Sequence, residues 1–302
     1  MELSKLSWIH RGGDISNYYL PQSTNELEEV ITNLNKSGAQ YLVVGHTSNI
    51  YFKNSFNIQN LVQTSKLTNY TISRDHVECE CGVHVRLLAR DMVKRGYKGF
   101  EGLVDLPGTI GGAVVNNSGC YGCQISDLLL GAKLLQPNGV VRHLSYKELA
   151  FTFRSSSLKR GELKGVLLTV TLNLVNGNPD ELLRLAEKAH YDRLKTQPGP
   201  QNNLGSTYHS LGKRTLFGES LRIVSGIYSK CLSLLGKDVE FRGKKRYELE
   251  FILAGGRKVI PYLWSSNRFI WKDNRADQVF LQYQKVLQRI YVEPKLEIEI
   301  FE

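Results

Sequence analysis

The segment "LPGTIGGAVVNNSGCYG", residues 106–122, constrains this chain more than any other. It holds five glycines, a proline and two asparagines among small apolar residues. An ordinary helix tolerates such a composition poorly, because each interior glycine costs about 1 kcal/mol relative to alanine. An ordinary solvated loop would be more polar. A backbone this bare exposes its N–H groups, and several in one turn make a concavity for an anion. The alternative is a pair of tight turns that need positive φ. A second small-residue turn, Gly45-His46-Thr47-Ser48-Asn49, ends the apolar run "AQYLVVG". Two such turns could together grip a dinucleotide pyrophosphate. Neither has the G-x-G-x-x-G spacing between strand and helix, nor that of a Walker loop.

The flanking pattern is that of mixed helices and strands. Ser23 and Glu26 stand at capping-box spacing, Leu27, Val30, Ile31 and Leu34 follow on one helical face, and Gly38 ends it. From Asn57 to Gly82 short strands are expected, with Cys79 and Cys81 on one face. Residues 84–97 read as a helix. "LLLGAKLLQPNGVVRHL" reads as two strands joined at Pro137-Asn138-Gly139. Ser145 and Glu148 make a further capping box, residues 165–175 a long strand, and 178–197 a helix with Pro179 in its first turn. The loop "PGPQNNLGSTYHS" breaks the pattern and marks the main boundary. The last third reads as mixed, closing on a helix near 277–290 and a strand, "KLEIEIF".

Composition narrows the function. With 302 residues, 41% hydrophobic and 23% charged, the chain has the makeup of a folded protein of two or three modules. No apolar run reaches membrane-spanning length, and the start lacks the apolar stretch of a signal peptide, so no membrane partner is expected. Five cysteines, an odd number, point to a reducing cytoplasm. The formal charge of +10 suits a solvated basic face or an anionic small-molecule site. "RGKKRYE" (242–248) brings nucleic acid to mind, but no helix-turn-helix, zinc-finger or RNP pattern stands beside it, so no nucleic-acid partner is expected.

The motifs carry a resemblance. "GFEGLVDLPGTIGGAVVNNSGCYG" is similar to the signature of UDP-N-acetylenolpyruvoylglucosamine reductases, flavoenzymes of peptidoglycan synthesis. Residues 45–49 resemble that family's Gly-x-Gly-Ser-Asn, and "FTFRSSSLK" (151–159) its Tyr-Arg-x-Ser-x-Phe-Lys. "RLKTQPGPQNNLGSTYHS" and "VEPKLEIEI" resemble two later motifs in the same order. The resemblance implies an α+β fold. A two-subdomain FAD-binding module of the PCMH/VAO-like type (1–66 and 67–197) would precede an α/β substrate-binding domain (198–302). It implies FAD held by Gly45, His46, Thr47, Ser48 and Asn49 in the first turn. In the second it implies Pro107, Gly108, Thr109, Gly111, Gly112, Asn117, Gly119, Tyr121 and Gly122. It implies NADPH as reductant and an anionic sugar-nucleotide-like substrate. The expected reaction is reduction of an enolpyruvyl ether to UDP-N-acetylmuramate. Arg154 matches the arginine that steadies the substrate carboxylate, and Ser206 the serine that donates a proton.

The sequence then departs from the pattern. Lys295 stands where the family has its catalytic glutamate, and "TYHSL" replaces the residues expected after the serine. An ammonium supplies charge without a carboxyl's proton-sharing geometry. These departures leave room for a flavoprotein acting on another sugar or nucleotide-sugar, or for one whose catalysis is lost. His46 sits in the turn expected to approach FAD, where a solvent-facing side chain and a covalent flavin link are alternatives. Cys79, Cys81, Cys120 and Cys123 could supply four thiolates to zinc. Small buried cysteines are the simpler reading, and no metal is expected.

Overall fold

The computed structural model describes residues 1–199 and 202–302, so Pro200 and Gln201 of the expected boundary loop lie outside the described residues. The chain divides into two compact units. The first comprises Met1–Ser7, Gly12–Ser48 and Asn54–Thr196; the second comprises Trp8–Arg11, Asn49–Lys53 and Gln197–Glu302.

The first unit contains two sheets. Strands Ile15–Tyr19, Ile58–Gln63 and Leu42–Val44 pair in that order, all parallel. Parallel neighbours need a crossover, and helix Thr24–Lys36 supplies one between the two outer strands. Ser23 caps it, accepting from the Glu26 N–H at 3.2 Å, while Glu26 reaches back to the Gln22 N–H at 2.7 Å. The second sheet is antiparallel, in the order Val141–Ser145, Leu129–Leu135, Val166–Asn173, His76–Glu80, Tyr70–Ile72. Alternate residues of Val166–Asn173 face a core that also takes Val77, Cys79, Leu88, Met92 and Val114. The hairpin at Pro137-Asn138-Gly139 and the Ser145–Glu148 capping box are present. Helices Val85–Lys94 and Pro179–Thr196 also lie in this unit.

The second unit is mainly helical, built from Leu216–Leu234, Val239–Leu253 and Ala276–Ile290. Its core is aromatic. Phe269 lies 4.9–5.8 Å from the rings of Trp271, Phe280, Tyr283 and Tyr262. The first two helices were not legible among the glycines at 218, 226 and 243. Their starts carry the caps Thr215, accepting from Gly218 N–H, and Asp238, accepting from Phe241 N–H. The closing strand departs from expectation. "KLEIEIF" forms two short strands, Lys295–Leu296 and Glu299–Phe301, because its pairing partner changes midway. The Glu297 N–H donates to the Thr207 carbonyl, and the Glu299 N–H to the Asn49 carbonyl, each at 2.9 Å.

A buried carboxylate pins the helical hairpin. Glu250, with its side chain 7% exposed, accepts from Arg214 at 2.8 Å and from the Ser225 hydroxyl at 2.6 Å. Removing Arg214 takes away the nearer of its two cations and leaves only Arg246, at 3.7 Å. Arg214→Met is expected to cost about 3–5 kcal/mol, and Arg214→Met/Glu250→Leu to recover most of it. Denaturant midpoints of the two variants check this; a double variant no more stable than Arg214→Met would refute it.

Candidate functional site

The glycine-rich segment forms a helix after all. Thr109 caps Ile110–Asn116 through its hydroxyl, which accepts from the Gly112 N–H at 3.3 Å. The first N–H groups are taken by the sheet side: Ile110 donates to the Val83 carbonyl and Gly111 to the Cys81 carbonyl, each at 2.8 Å. Gly111 has to be bare for this reason. A Cβ there would stand 3.0 Å from the Cys81 Cβ and carbonyl oxygen. Gly112 is exposed, and a Cβ there meets only the Thr109 hydroxyl at 3.4 Å.

The two turns meet within the first unit. A Cβ on Gly45 would collide with the Thr109 side chain, and one on Gly108 would stand 3.0 Å from the Ser48 hydroxyl. The backbone N–H groups of His46, Ser48, Gly108 and Thr109 make no hydrogen bond to another described residue. A group of bare donors at touching turns is what a pyrophosphate requires. The donors differ from the simple expectation, since those of Gly111 and Gly112 are already used. Asn117 adds a second signature. Its backbone is left-handed (φ +43), its amide nitrogen donates to the Thr152 carbonyl at 2.9 Å, and its buried Oδ1 has no donor. An imide N–H of the kind a flavin ring carries would satisfy that oxygen. The residues present therefore fit FAD.

His46 is partly buried rather than solvent-facing, with its ring 4.0 Å from that of His84. Burial, His84 and Arg86 together push its pKa down to about 4, so the ring is neutral near pH 7. Thr47 is buried and takes φ +55. A β-branched residue rarely adopts that conformation. Tyr121 (φ +49) and Gly122 (φ +81) form the turn of a hairpin that pairs Cys120 with Cys123, and Gly119 with Gln124. The Cys120 thiol donates to the Gly102 carbonyl, and the Cys123 sulfur accepts the Gly102 N–H. Cys79 and Cys81 are buried in the sheet core, and burial pushes both thiols up to about 12. No group of three metal-ligating side chains occurs among the described residues.

Arg154 belongs to the first unit, with a left-handed backbone (φ +55). Its guanidinium donates to the carbonyls of Asn117 at 3.4 Å and Gly119 at 2.5 Å. Ser156 donates to the Val115 carbonyl at 2.7 Å, and Lys159 to the Asn116 side chain at 2.6 Å. The 152–160 segment thus holds the far end of the glycine-rich helix, a role that motif matching did not assign to Ser156 and Lys159. Ser206 and Lys295 belong to the second unit. The residues after Ser206 are held by Asn267, whose side chain pairs with both the N–H and the carbonyl of Tyr208. Lys295 is exposed and stands opposite Ser210 in a short antiparallel pair.

With this geometry in view, the comparisons with known proteins are informative. Residues 15–145 match a family model described as an FAD binding domain. A UDP-N-acetylenolpyruvoylglucosamine reductase of Caldicellulosiruptor bescii is 31% identical over 208 residues, 68% of this chain and 66% of that protein. The chain is a divergent relative of these reductases and carries an FAD-binding domain. The enzyme of the same name from Caldicellulosiruptor saccharolyticus is 28% identical over 189 residues, 63% of this chain and 60% of that protein. The chain thus matches 66% and 60% of the length of these two relatives. The crystal structure of the Thermus caldophilus reductase superposes with a TM-score of 0.68 at 20% identity, covering 100% of this chain and 98% of that one. The fold is accordingly α+β, that of the Thermus caldophilus reductase, with an FAD-binding domain over residues 15–145.

Two predictions follow from the two turns. Gly112→Ala is expected to leave stability within about 0.5 kcal/mol, while Gly111→Ala loses about 1–3 kcal/mol by overpacking against Cys81. FAD affinity, read by fluorescence quenching, is expected to fall about tenfold or more for Gly112→Ala, where the added methyl stands on the exposed face beside the Thr109 hydroxyl. Unchanged affinity would remove Gly112 from the cofactor's path. For His46 the sign is set by a depressed folded-state pKa. The unfolded chain takes a proton near pH 6.5, whereas the folded chain resists until about pH 4. Stability therefore falls as pH drops through that window. Between pH 7 and pH 4.5, wild type is expected to lose about 1–2 kcal/mol more than His46→Gln, measured by urea denaturation.

Proposed function

We propose that this protein is a flavin-dependent oxidoreductase that uses NADPH to reduce the enolpyruvyl ether of UDP-N-acetylglucosamine to UDP-N-acetylmuramate, a step of peptidoglycan synthesis. The observation that carries this reading is the pair of touching backbone turns, with bare N–H groups, in a relative of the reductases of that name. The chemistry that bound FAD supplies is hydride transfer from a reduced nicotinamide to the acceptor's vinyl carbon. The chain's own part is to bind, orient and move a proton. The N–H groups of His46, Ser48, Gly108 and Thr109 hold the pyrophosphate, and Asn117 Oδ1 accepts from the ring imide. Arg154 has a planar guanidinium suited to a carboxylate. It offsets the enolate charge that develops beside the acceptor's carboxyl. Because the same guanidinium donates to the Asn117 and Gly119 carbonyls, it ties acceptor binding to the geometry of the cofactor loop. Ser206 supplies the proton to the carbon next to that carboxyl.

A second reading rests on Lys295. Where the family has a carboxyl, this chain has an ammonium on an exposed strand residue. That change favours a flavoenzyme of the same fold acting on a different sugar or nucleotide-sugar acceptor. One measurement separates the two readings. The NADPH-reduced protein is mixed anaerobically with UDP-N-acetylglucosamine enolpyruvate, and reoxidation is followed at the flavin absorption band. Fast single-turnover reoxidation supports the first reading. If reoxidation is slow in wild type and Lys295→Glu speeds it about tenfold or more, the second reading holds, and the lost carboxyl is the reason.

A further inference from the structure

The hairpin of helices Leu216–Leu234 and Val239–Leu253 has two chemically different ends. At its base the charges are paired, with Arg214 and Arg246 on the buried Glu250 and Arg222 on Glu219. At its tip the apolar residues face water. Leu234, Leu235 and Val239 surround a left-handed turn at Gly236 (φ +73) and are 89%, 73% and 75% exposed. Ile227, Cys231 and Leu234 continue this surface along one helical face, and Ile227 is 60% exposed. Single exposed apolar residues are ordinary, but a cluster at the end of a helical hairpin marks an interaction site.

The charge around the tip identifies the partner. Between Lys230 and Lys244 there are four lysines and arginines against Asp238 and Glu240, a net charge of +2. Lys230, Lys237, Arg242 and Lys244 form no ion pair among the described residues. The Asp238 carboxylate is occupied in capping the second helix, where it accepts the Phe241 N–H at 2.7 Å. A second copy of this chain docking tip to tip would bring equal positive charge against itself. Apolar residues ringed by unpaired cations are complementary to an anionic lipid surface, where the chains enter the headgroup boundary and the ammonium groups meet phosphates. Among the described residues no helix is long and apolar enough to cross a membrane.

We propose that the hairpin tip docks the protein on the surface of an anionic bilayer, inserting Leu234, Leu235 and Val239 with Lys230, Lys237, Arg242 and Lys244 around them. A search for spanning length misses such a site, which is why the sequence alone pointed to no membrane partner. The proposal stands independently of the enzymatic reading.

The test is flotation of the full-length, FAD-loaded protein with two kinds of vesicle, phosphatidylcholine alone and phosphatidylcholine mixed with phosphatidylglycerol. Binding is expected to the anionic vesicles, and to fall at least tenfold as salt rises from about 50 to about 500 mM. Leu234→Ser/Leu235→Ser and Lys230→Glu/Lys237→Glu are each expected to lose about tenfold or more in binding, with flavin spectrum and melting temperature retained. These side chains are exposed, so a loss of binding does not report misfolding. Absence of binding, equal binding to neutral vesicles, or binding unchanged by Leu234→Ser/Leu235→Ser would overturn the proposal. So would a concentration-dependent dimer that the same leucine substitutions abolish while the protein ignores vesicles.

Discussion

A cofactor recognised through peptide groups needs a backbone that is both bare and fixed, and glycine supplies only the first. The fixing here comes from outside the glycine-rich segment. At its front, the Val83 and Cys81 carbonyls take the N–H groups of Ile110 and Gly111, and the Thr109 hydroxyl takes that of Gly112. At its rear, Ser156 and Arg154 bind the carbonyls of Val115, Asn117 and Gly119, and Lys159 binds the Asn116 side chain. Each glycine would otherwise give up about 0.5–1 kcal/mol of conformational freedom relative to alanine on ordering. The clamp spreads that cost over two neighbouring segments. It also leaves the donors of Gly108 and Thr109 unspent, at the point where the first turn touches the second.

Arg154 sits at the junction of two demands. A guanidinium has five donors, and two carbonyls engage part of them. A carboxylate drawn to the same group would pull on the hydrogen bonds that set Asn117 and Gly119. In the proposed reaction, acceptor binding and cofactor-loop geometry would thereby be linked. The left-handed backbone at both Asn117 and Arg154 holds the link in one conformation, since relaxing either residue would move the carbonyls away from the guanidinium.

Much of this was legible in the sequence, and the remainder was hidden for physical reasons. Caps, turns and periodicity located the helices at Thr24–Lys36, Val85–Lys94 and Pro179–Thr196 and the strands between them, because local chemistry and burial agree there. The short helix Ile110–Asn116 was hidden because its glycines argue against a helix while Thr109 and the carbonyls of another segment enforce one. The hairpin Leu216–Leu253 was hidden because its apolar residues do not all face a core; several lie on its exposed tip, so periodicity loses its meaning. The split of the closing strand followed from a switch of partner between Thr207 and Asn49, a tertiary event with no local signal. For the site, the two turns were visible as composition, but the particular free N–H groups were not.

The two halves of the proposed chemistry are written in different materials. Cofactor recognition rests on N–H groups, which every residue but proline possesses, so the first turn can carry His46 and Thr47 and remain a turn. Thr47 pays for this with a left-handed backbone that costs about 1–2 kcal/mol in a non-glycine residue. Acceptor chemistry rests on side chains, where a guanidinium, a hydroxyl and a carboxyl are not interchangeable. Substitution therefore has unequal consequences on the two sides. On the proposed reading, changes in the turns adjust strain, whereas a change at Lys295 would alter what can share a proton with the acceptor. A chain that keeps the first kind of feature and rewrites the second retains its cofactor while its acceptor specificity is free to move. On the proposed reading, residues 45–122 carry the first kind of feature and residues 206–297 the second.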